Sequence, residues 1–160
     1  MAIEPMERKV GRTFVRLQCG DLTALEVDAF VFYARQDLAL GSGFGTAIQV
    51  RGGDTIKKEL EKLERLQVGQ AVVSGAGKLN AKFIVHACGP KFQEPDTEPK
   101  LRQTMASALQ AAEEKEIKTL AFPPMGAGFY GAPLADCARI MVESIRGHLQ
   151  GQTGLDEIII

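Results

Sequence analysis

The sequence predicts an α/β fold in which a mixed sheet carries helices on both faces, and three observations lead there. Apolar runs of strand length open the chain, and strand and helix patterns alternate after them. One run, Asp28 to Tyr33, is almost wholly apolar, as expected of a strand covered on both sides. Glycine clusters fall where strand patterns give way to helix patterns, beyond the carboxyl ends of strands, where such sheets collect ligands.

Taken in order, Met1 to about Arg8 shows no core-facing pattern and reads as the most flexible piece. Residues 1–12 form an N-terminal extension able to pair as an edge strand, and 13–160 form one domain. Phe14 to Leu17 alternates as a strand should, and Asp28 to Tyr33 is the second, buried strand. Beyond Gly41 to Gly45, a helix is predicted from about Thr46 to Arg51. A second starts at Asp54, a plausible N-cap, with Ile56, Leu60 and Leu63 at helical spacing. Gln70–Ser74 and Lys82–Ala87 flank a glycine-containing turn and predict an antiparallel hairpin. From Pro99 to Lys115, Leu101, Met105, Ala108, Leu109 and Ala112 keep one apolar stripe and mark an amphipathic helix. Thr119–Phe122 is a strand. Pro133 suits the first position of a helix whose stripe is Leu134, Ala138, Met141, Val142 and Ile145, and Asp156–Ile160 closes the sheet.

Composition narrows the function. A chain of 160 residues, 45% hydrophobic, buries one sizeable core and is too short for two ordinary domains. Its 19 basic and 20 acidic residues leave a formal net charge of -1, so no overall basic field gathers nucleic acid. Lys57, Lys58, Lys62 and Arg65 are spaced as the solvated face of a helix. Cys19, Cys88 and Cys137 share no C-x-x-C spacing, and they imply neither a disulfide framework nor a zinc site. No apolar stretch approaches the roughly 20 residues that span a bilayer, and a soluble, cytoplasmic protein is expected.

Two loops carry the chemistry: Gly41-Ser42-Gly43-Phe44-Gly45 and Gly126-Ala127-Gly128-Phe129-Tyr130-Gly131. Glycine lets main-chain N–H groups approach an anion closely, and a helix N-terminus adds unsatisfied donors and a favourable dipole. Two such loops can clamp a diphosphate, although each alone also reads as a tight turn. The second loop matches G-x-G-x-x-G, yet a nicotinamide-dinucleotide fold places that fingerprint in its first strand-helix-strand unit, with an acidic residue about 20 positions on. Here only one strand follows. The first loop has no Lys-Ser or Lys-Thr after its glycines, which argues against a P-loop nucleotidase.

Gly20-Asp21-Leu22-Thr23 with Val27-Asp28-Ala29, the Gly41–Gly45 loop, Val85-His86 with Gly89-Pro90, and Ala121-Phe122-Pro123 leading into Gly126–Gly131 and Pro133 together resemble the macro domains, the ADP-ribose-binding, Appr-1″-p processing family. The resemblance covers about Thr13 to Ile160. It implies a three-layer α/β/α sandwich with a mixed, mostly parallel sheet, and ADP-ribose or an ADP-ribosylated macromolecule as partner, with no further cofactor and no metal. By position, Asp21 would accept a hydrogen bond from the adenine amino group beside the main chain of Leu22. Ser42, Gly43 and Phe44 would meet one phosphate. Gly126, Ala127, Gly128, Phe129 and Tyr130 would meet the other phosphate and the distal ribose.

The chain departs from the hydrolytic members of that family at three points. Their Asn-Ala-Ala-Asn run aligns with Phe32-Tyr33-Ala34-Arg35, and Gly45 stands where they carry an aspartate. Phenylalanine offers neither donor nor acceptor to a water or a ribose. Binding without catalysis is therefore expected, and no catalytic residue is assigned. His86 in mid-strand reads as a hydrogen-bonded core histidine, and Cys88 and Cys19 as small buried hydrophobes in strands. Arg35 could meet a ligand phosphate or carboxylate, and Asp37 receives no role. Two alternatives stay open: a hydrolase of ADP-ribosyl esters, O-acetyl-ADP-ribose or a terminal phosphate, and a scaffold that takes another nucleotide or none.

Overall fold

The structure, a computed structural model, describes residues 6–41, 43–91, 93–127 and 133–160. In chain order the strands are β1 (Met6–Val10), β2 (Thr13–Leu17), β3 (Ala29–Tyr33), β4 (Ala71–Gly75), β5 (Phe83–Ala87), β6 (Thr119–Ala121) and β7 (Glu157–Ile159). The helices are α1 (Phe44–Gly52), α2 (Asp54–Glu61), α3 (Thr97–Glu114) and α4 (Leu134–Leu149), with a single 3-10 turn at Leu22–Ala24. Among the described residues the strands form one sheet in the order β1-β2-β7-β6-β3-β5-β4. Its middle is parallel, and the edge strands β1 and β4 run antiparallel to their neighbours. Met6 to Arg8, assigned from sequence to the flexible start, are thus part of an edge strand.

β3 is buried at all five positions because it pairs on both sides, with β5 and β6. Its alternating side chains feed two cores. Ala29, Val31 and Tyr33 pack with α3 and α4 through Leu101, Met105, Ile140 and Ile145. Phe30 and Phe32 pack with α1 and α2 through Ile48, Ile56 and Leu60. The result is helix, sheet, helix: a three-layer α/β/α sandwich. On α3, burying Leu101, Met105 and Leu109 stabilises the fold by about 1.5–3 kcal/mol each.

Several local expectations shift. α1 starts at Phe44, two residues early, because Gly43 at φ 64° turns the chain directly into the helix. Gly53, at φ 84°, caps α2, and Asp54 is the first helical residue, where its carboxylate still faces the positive end of the helix dipole. α2 ends at Glu61, which leaves Leu63 exposed beyond it. Pro133 is the N-cap of α4 rather than its first residue. The stripe on that helix is also rotated: Cys137, Ile140, Met141, Ile145 and Leu149 are buried, whereas Leu134, Ala138 and Val142 are exposed. Periodicity gives a helix its repeat but not its phase, and here packing against α3 sets the phase. Cys19 follows the end of β2 and is exposed, in contrast to the buried strand cysteine expected; Cys88 lies just past β5 and is buried. No helix among the described residues is long and apolar enough to cross a membrane.

Candidate functional site

β3 and β5 pair flush, Tyr33 opposite Ala87, so their chains leave the sheet together, tied by the Ala34 N–H to the Ala87 carbonyl at 2.8 Å. β6 ends beside them at Ala121. Above these carboxyl ends opens a cleft of about 370 Å3. The first glycine loop supplies one wall through Gly41, Gly43 and Phe44; Pro123, Pro124, Gly126 and Ala127 supply the other. The described residues of the two loops singled out from sequence, Gly41 and Gly43 to Gly45 of the first and Gly126 and Ala127 of the second, therefore line one cavity, of a volume ordinary for a small-molecule site. Ser42, Gly128, Phe129 and Tyr130 lie outside the described residues.

The first loop is built for close main-chain approach. Gly41 and Gly43 have φ of 67° and 64°, and Gly126 on the opposite wall has 83°, a region that disfavours side chains. Gly45 is needed for space: a Cβ there would stand 1.6 Å from the Leu40 carbonyl oxygen. The loop folds back so tightly over the first turn of α1 that the helix opens directly onto the cleft. Ala47 donates the first helical bond, to the Gly43 carbonyl at 3.2 Å, so the N–H groups of Phe44, Gly45 and Thr46 have no acceptor within the helix. Phe44 contributes main chain rather than ring. Its side chain packs on Phe30 and Phe32, with centroids 5.8 and 5.7 Å apart, and anchors the helix start to the sheet.

The floor and rim are apolar or cationic. Phe32 is 8% exposed and meets the His86 ring edge-on at 6.0 Å. Tyr33 donates its hydroxyl proton to the Pro90 carbonyl at 2.5 Å, and Gly89 has no room for a Cβ because the Tyr33 hydroxyl oxygen lies 2.2 Å, and its ring carbon Cζ 2.3 Å, from where it would be. Arg35 is the charged side chain on the cleft wall; it sits near Gly41 and pairs with Asp37 at 3.0 Å, so it has the partner that a lone exposed arginine would lack. The Ala39 N–H and then Arg35 hold the Asp37 carboxyl below the usual range, which makes Asp37 the brace of this loop.

Asp21 and Leu22 stand apart from the cleft lining, at the other end of α1. Asp21 caps the 3-10 turn: its Oδ1 accepts the Thr23 N–H at 2.9 Å and the Thr23 hydroxyl at 2.7 Å, and its Oδ2 accepts from Arg51 in the last turn of α1. The Thr23 bonds, and then Arg51, hold its carboxyl below the usual range. Leu22 opens the turn, so its N–H has no acceptor within it. Arg51 was missed from sequence, since nothing in a helical arginine indicates a partner thirty residues earlier. Asp28, from the same sequence motif, is structural and accepts the Lys118 N–H at 2.8 Å.

His86 is fully buried and shares a 2.8 Å hydrogen bond between its Nε2 and the Ser74 hydroxyl, as expected of a core histidine. Burial lowers its pKa to about 4, so the ring is neutral near pH 7. Burial also pushes the Cys88 and Cys137 thiols up, away from the reactive thiolate. Among the described residues no group of His, Cys, Asp and Glu is arranged to hold a metal.

A sequence model described as Macro domain matches residues 34–141. A protein of Saccharolobus solfataricus is 38% identical over 133 residues, covering 81% of this chain and 75% of its own. A macro domain-containing protein of Caldanaerobacter subterraneus is 35% identical over 145 residues, covering 87% and 83%. Among solved structures, the Oceanobacillus iheyensis macrodomain with ADP superimposes with a TM-score of 0.90 at 26% identity, over 97% of this chain and 87% of that one. The Trypanosoma brucei macrodomain in complex with ADP-ribose does so with a TM-score of 0.85 at 26% identity, over 91% and 62%.

Proposed function

The chain belongs to the macro domain family, and from that membership we propose that it is a binding module for ADP-ribose, free or attached to a macromolecule. The observation that carries this reading is that the described residues of two glycine-rich loops, Gly41 and Gly43 to Gly45 on one side and Gly126 and Ala127 on the other, line one cleft at the carboxyl ends of parallel strands. In it, the N–H groups at Gly43 and Phe44, with those of Ser42, take one phosphate. Gly126 and Ala127, with Gly128, Phe129 and Tyr130, take the other phosphate and the distal ribose. The base reaches along α1 to Asp21, which accepts from the adenine amino group while the free Leu22 N–H faces a ring nitrogen. From Gly43 to Arg51 the helix rises about 12 Å at 1.5 Å per residue. An adenosine 5′-phosphate unit is of the same order in length between its 6-amino group and its phosphate. The Oceanobacillus and Trypanosoma relatives, solved with ADP and ADP-ribose, support the ligand class.

Binding is favoured over hydrolysis by the surroundings of Phe32, which is packed between Phe44 and His86 and presents no polar atom. Arg35, the charged side chain among the described residues of the cleft wall, offers hydrogen-bond donors and no acceptor. The test is isothermal titration with ADP-ribose, with AMP and NAD as controls. Saturable, preferential binding of ADP-ribose is expected, weakened by about tenfold or more by Asp21→Ala, tenfold being the lower end of the range for loss of a hydrogen bond to a charged acceptor. No heat with ADP-ribose refutes the reading, and unchanged affinity in Asp21→Ala removes the base assignment. Release of ADP-ribose from a modified protein would put hydrolysis in its place.

A further inference from the structure

The ion pair at the far end of α1 is a closed ring of three side chains. One Arg51 nitrogen, Nη1, donates to Asp21 Oδ2 and, at 2.5 Å, to the Thr23 hydroxyl oxygen. That hydroxyl donates in turn to Asp21 Oδ1 at 2.7 Å, and the same oxygen takes the Thr23 N–H at 2.9 Å. A carboxylate oxygen has two acceptor positions. Oδ1 is therefore filled, and Oδ2, with one donor, retains a single open position. The ring is not a staple of the core, because the Arg51 and Asp21 side chains are 53% and 46% exposed. Exposed ion pairs contribute little to a fold. What this one does is geometric: it fixes the carboxylate plane and leaves one acceptor direction free.

We propose that Arg51 is the positioning residue of the base subsite, and that by locking Asp21 and Thr23 into this ring it makes the subsite select a purine carrying an amino donor at position 6. The proposal rests on the reading that Asp21 meets the base. Arg51 lies on the same rigid helix whose first turn opens onto the cleft, so its position is tied to that of the phosphate loop. A carboxylate released from the ring could rotate about χ1 and χ2 and turn a filled or an open lone pair toward the base, with loss of discrimination. Lysine retains the charge but brings a single nitrogen on a more flexible stem, so it restores the geometry in part.

The experiment titrates the full chain and its Arg51→Ala and Arg51→Lys variants with ADP-ribose, with ADP, and with purine riboside 5′-diphosphate, which has hydrogen in place of the amino group. Thermal melts verify that each variant is folded. The wild-type chain is expected to prefer ADP by about tenfold or more, tenfold being the lower end of the range for a hydrogen bond to a charged acceptor. Arg51→Ala is expected to reduce that preference at least threefold, and Arg51→Lys to fall between. A merely structural role would weaken both ligands together and leave the ratio alone. An unchanged ratio in Arg51→Ala overturns the proposal, as does tighter ADP binding, which would make Arg51 a competitor for Asp21. Should Arg51→Ala fail to fold, an Arg51→Lys ratio equal to that of the wild type overturns it equally. A wild-type chain that binds ADP-ribose without preferring ADP over the analogue removes the base subsite but leaves the diphosphate reading intact. One that binds none of the three removes both.

Discussion

Replacing Gly45 by alanine separates two effects of opposite sign. Gly45 is the second residue of α1, and alanine is favoured over glycine in a helix by about 1 kcal/mol, so propensity alone predicts stabilisation. The structure predicts the reverse. The new Cβ would stand 1.6 Å from the Leu40 oxygen and 2.5 Å from its carbonyl carbon. A carbon and a carbonyl oxygen approach to about 3.3 Å, so the Leu40 backbone has to retreat by roughly 1.7 Å. Leu40 is itself buried in the core beneath α1, and moving its backbone drags a packed side chain with it. Overpacking a filled site costs about 1–3 kcal/mol, and a clash with backbone belongs at the upper end. After the helix gain is subtracted, a net loss of about 2 kcal/mol is expected. For a chain of this length that lowers Tm by about 4–8 °C, and in urea it moves the midpoint by about 1 M at constant slope. ADP-ribose affinity should fall more than tenfold, because the displaced segment leads straight into Gly41 and Gly43. Gly147→Ala is the internal control: it lies in α4 with nothing within 4 Å of the added carbon, and it should stabilise by about 0.5–1 kcal/mol. A Gly45→Ala chain as stable as Gly147→Ala, with affinity intact, would refute the close approach of loop and helix.

Two other perturbations test the walls of the site. His86, lowered to about 4 by burial, is depressed relative to its unfolded value near 6.5, so the unfolded state binds the extra proton and stability falls as pH drops through that window. Between pH 7.5 and pH 5 the loss is about 2 kcal/mol, read as a shift in urea midpoint. A His86→Leu variant should lose this acid dependence, and one that retains it in full would show that His86 is not its source. Tyr33→Phe deletes the hydroxyl held by the Pro90 carbonyl and should cost about 1 kcal/mol in denaturant titrations. No change there would mean that the bond does not brace the Gly89-Pro90 loop.

What was legible in the sequence is what local rules govern. β3 announced itself because a strand paired and covered on both sides needs an apolar residue at every position, and Ala29 to Tyr33 provides them. The glycines of the first loop were legible because positive φ and backbone clearance leave few other residues able to stand there. His86 could be read as a core histidine from its place in an apolar strand, although its Ser74 partner could not, since the hairpin register that brings the two together is a property of the pairing. The phase of α4 was misread in part for the related reason that Met141 and Ile145, which are common to both sets, repeat equally well with Leu134, Ala138 and Val142 as with the observed Cys137, Ile140 and Leu149, and only α3 decides between them.

The base end of the candidate site marks the limit of such reading. Asp21 next to glycine is an ordinary turn signal, and in the structure it is one: its carboxylate caps the turn through Thr23. Its second oxygen is engaged by a side chain thirty residues away, on the far end of the helix whose near end opens the cleft. Neither residue alone predicts the other, because the link is made by the length of α1 and the turn it packs beside. A site assembled this way is sensitive to helix length as well as to side-chain identity. Deleting one residue from the interior of α1 would rotate Arg51 by about 100° and draw it about 1.5 Å toward the phosphate loop, out of the ring with Asp21. Discrimination for the 6-amino group should then fall as it does in Arg51→Ala. Preference for ADP that survives the deletion would show that Asp21 reads the base without help from the helix.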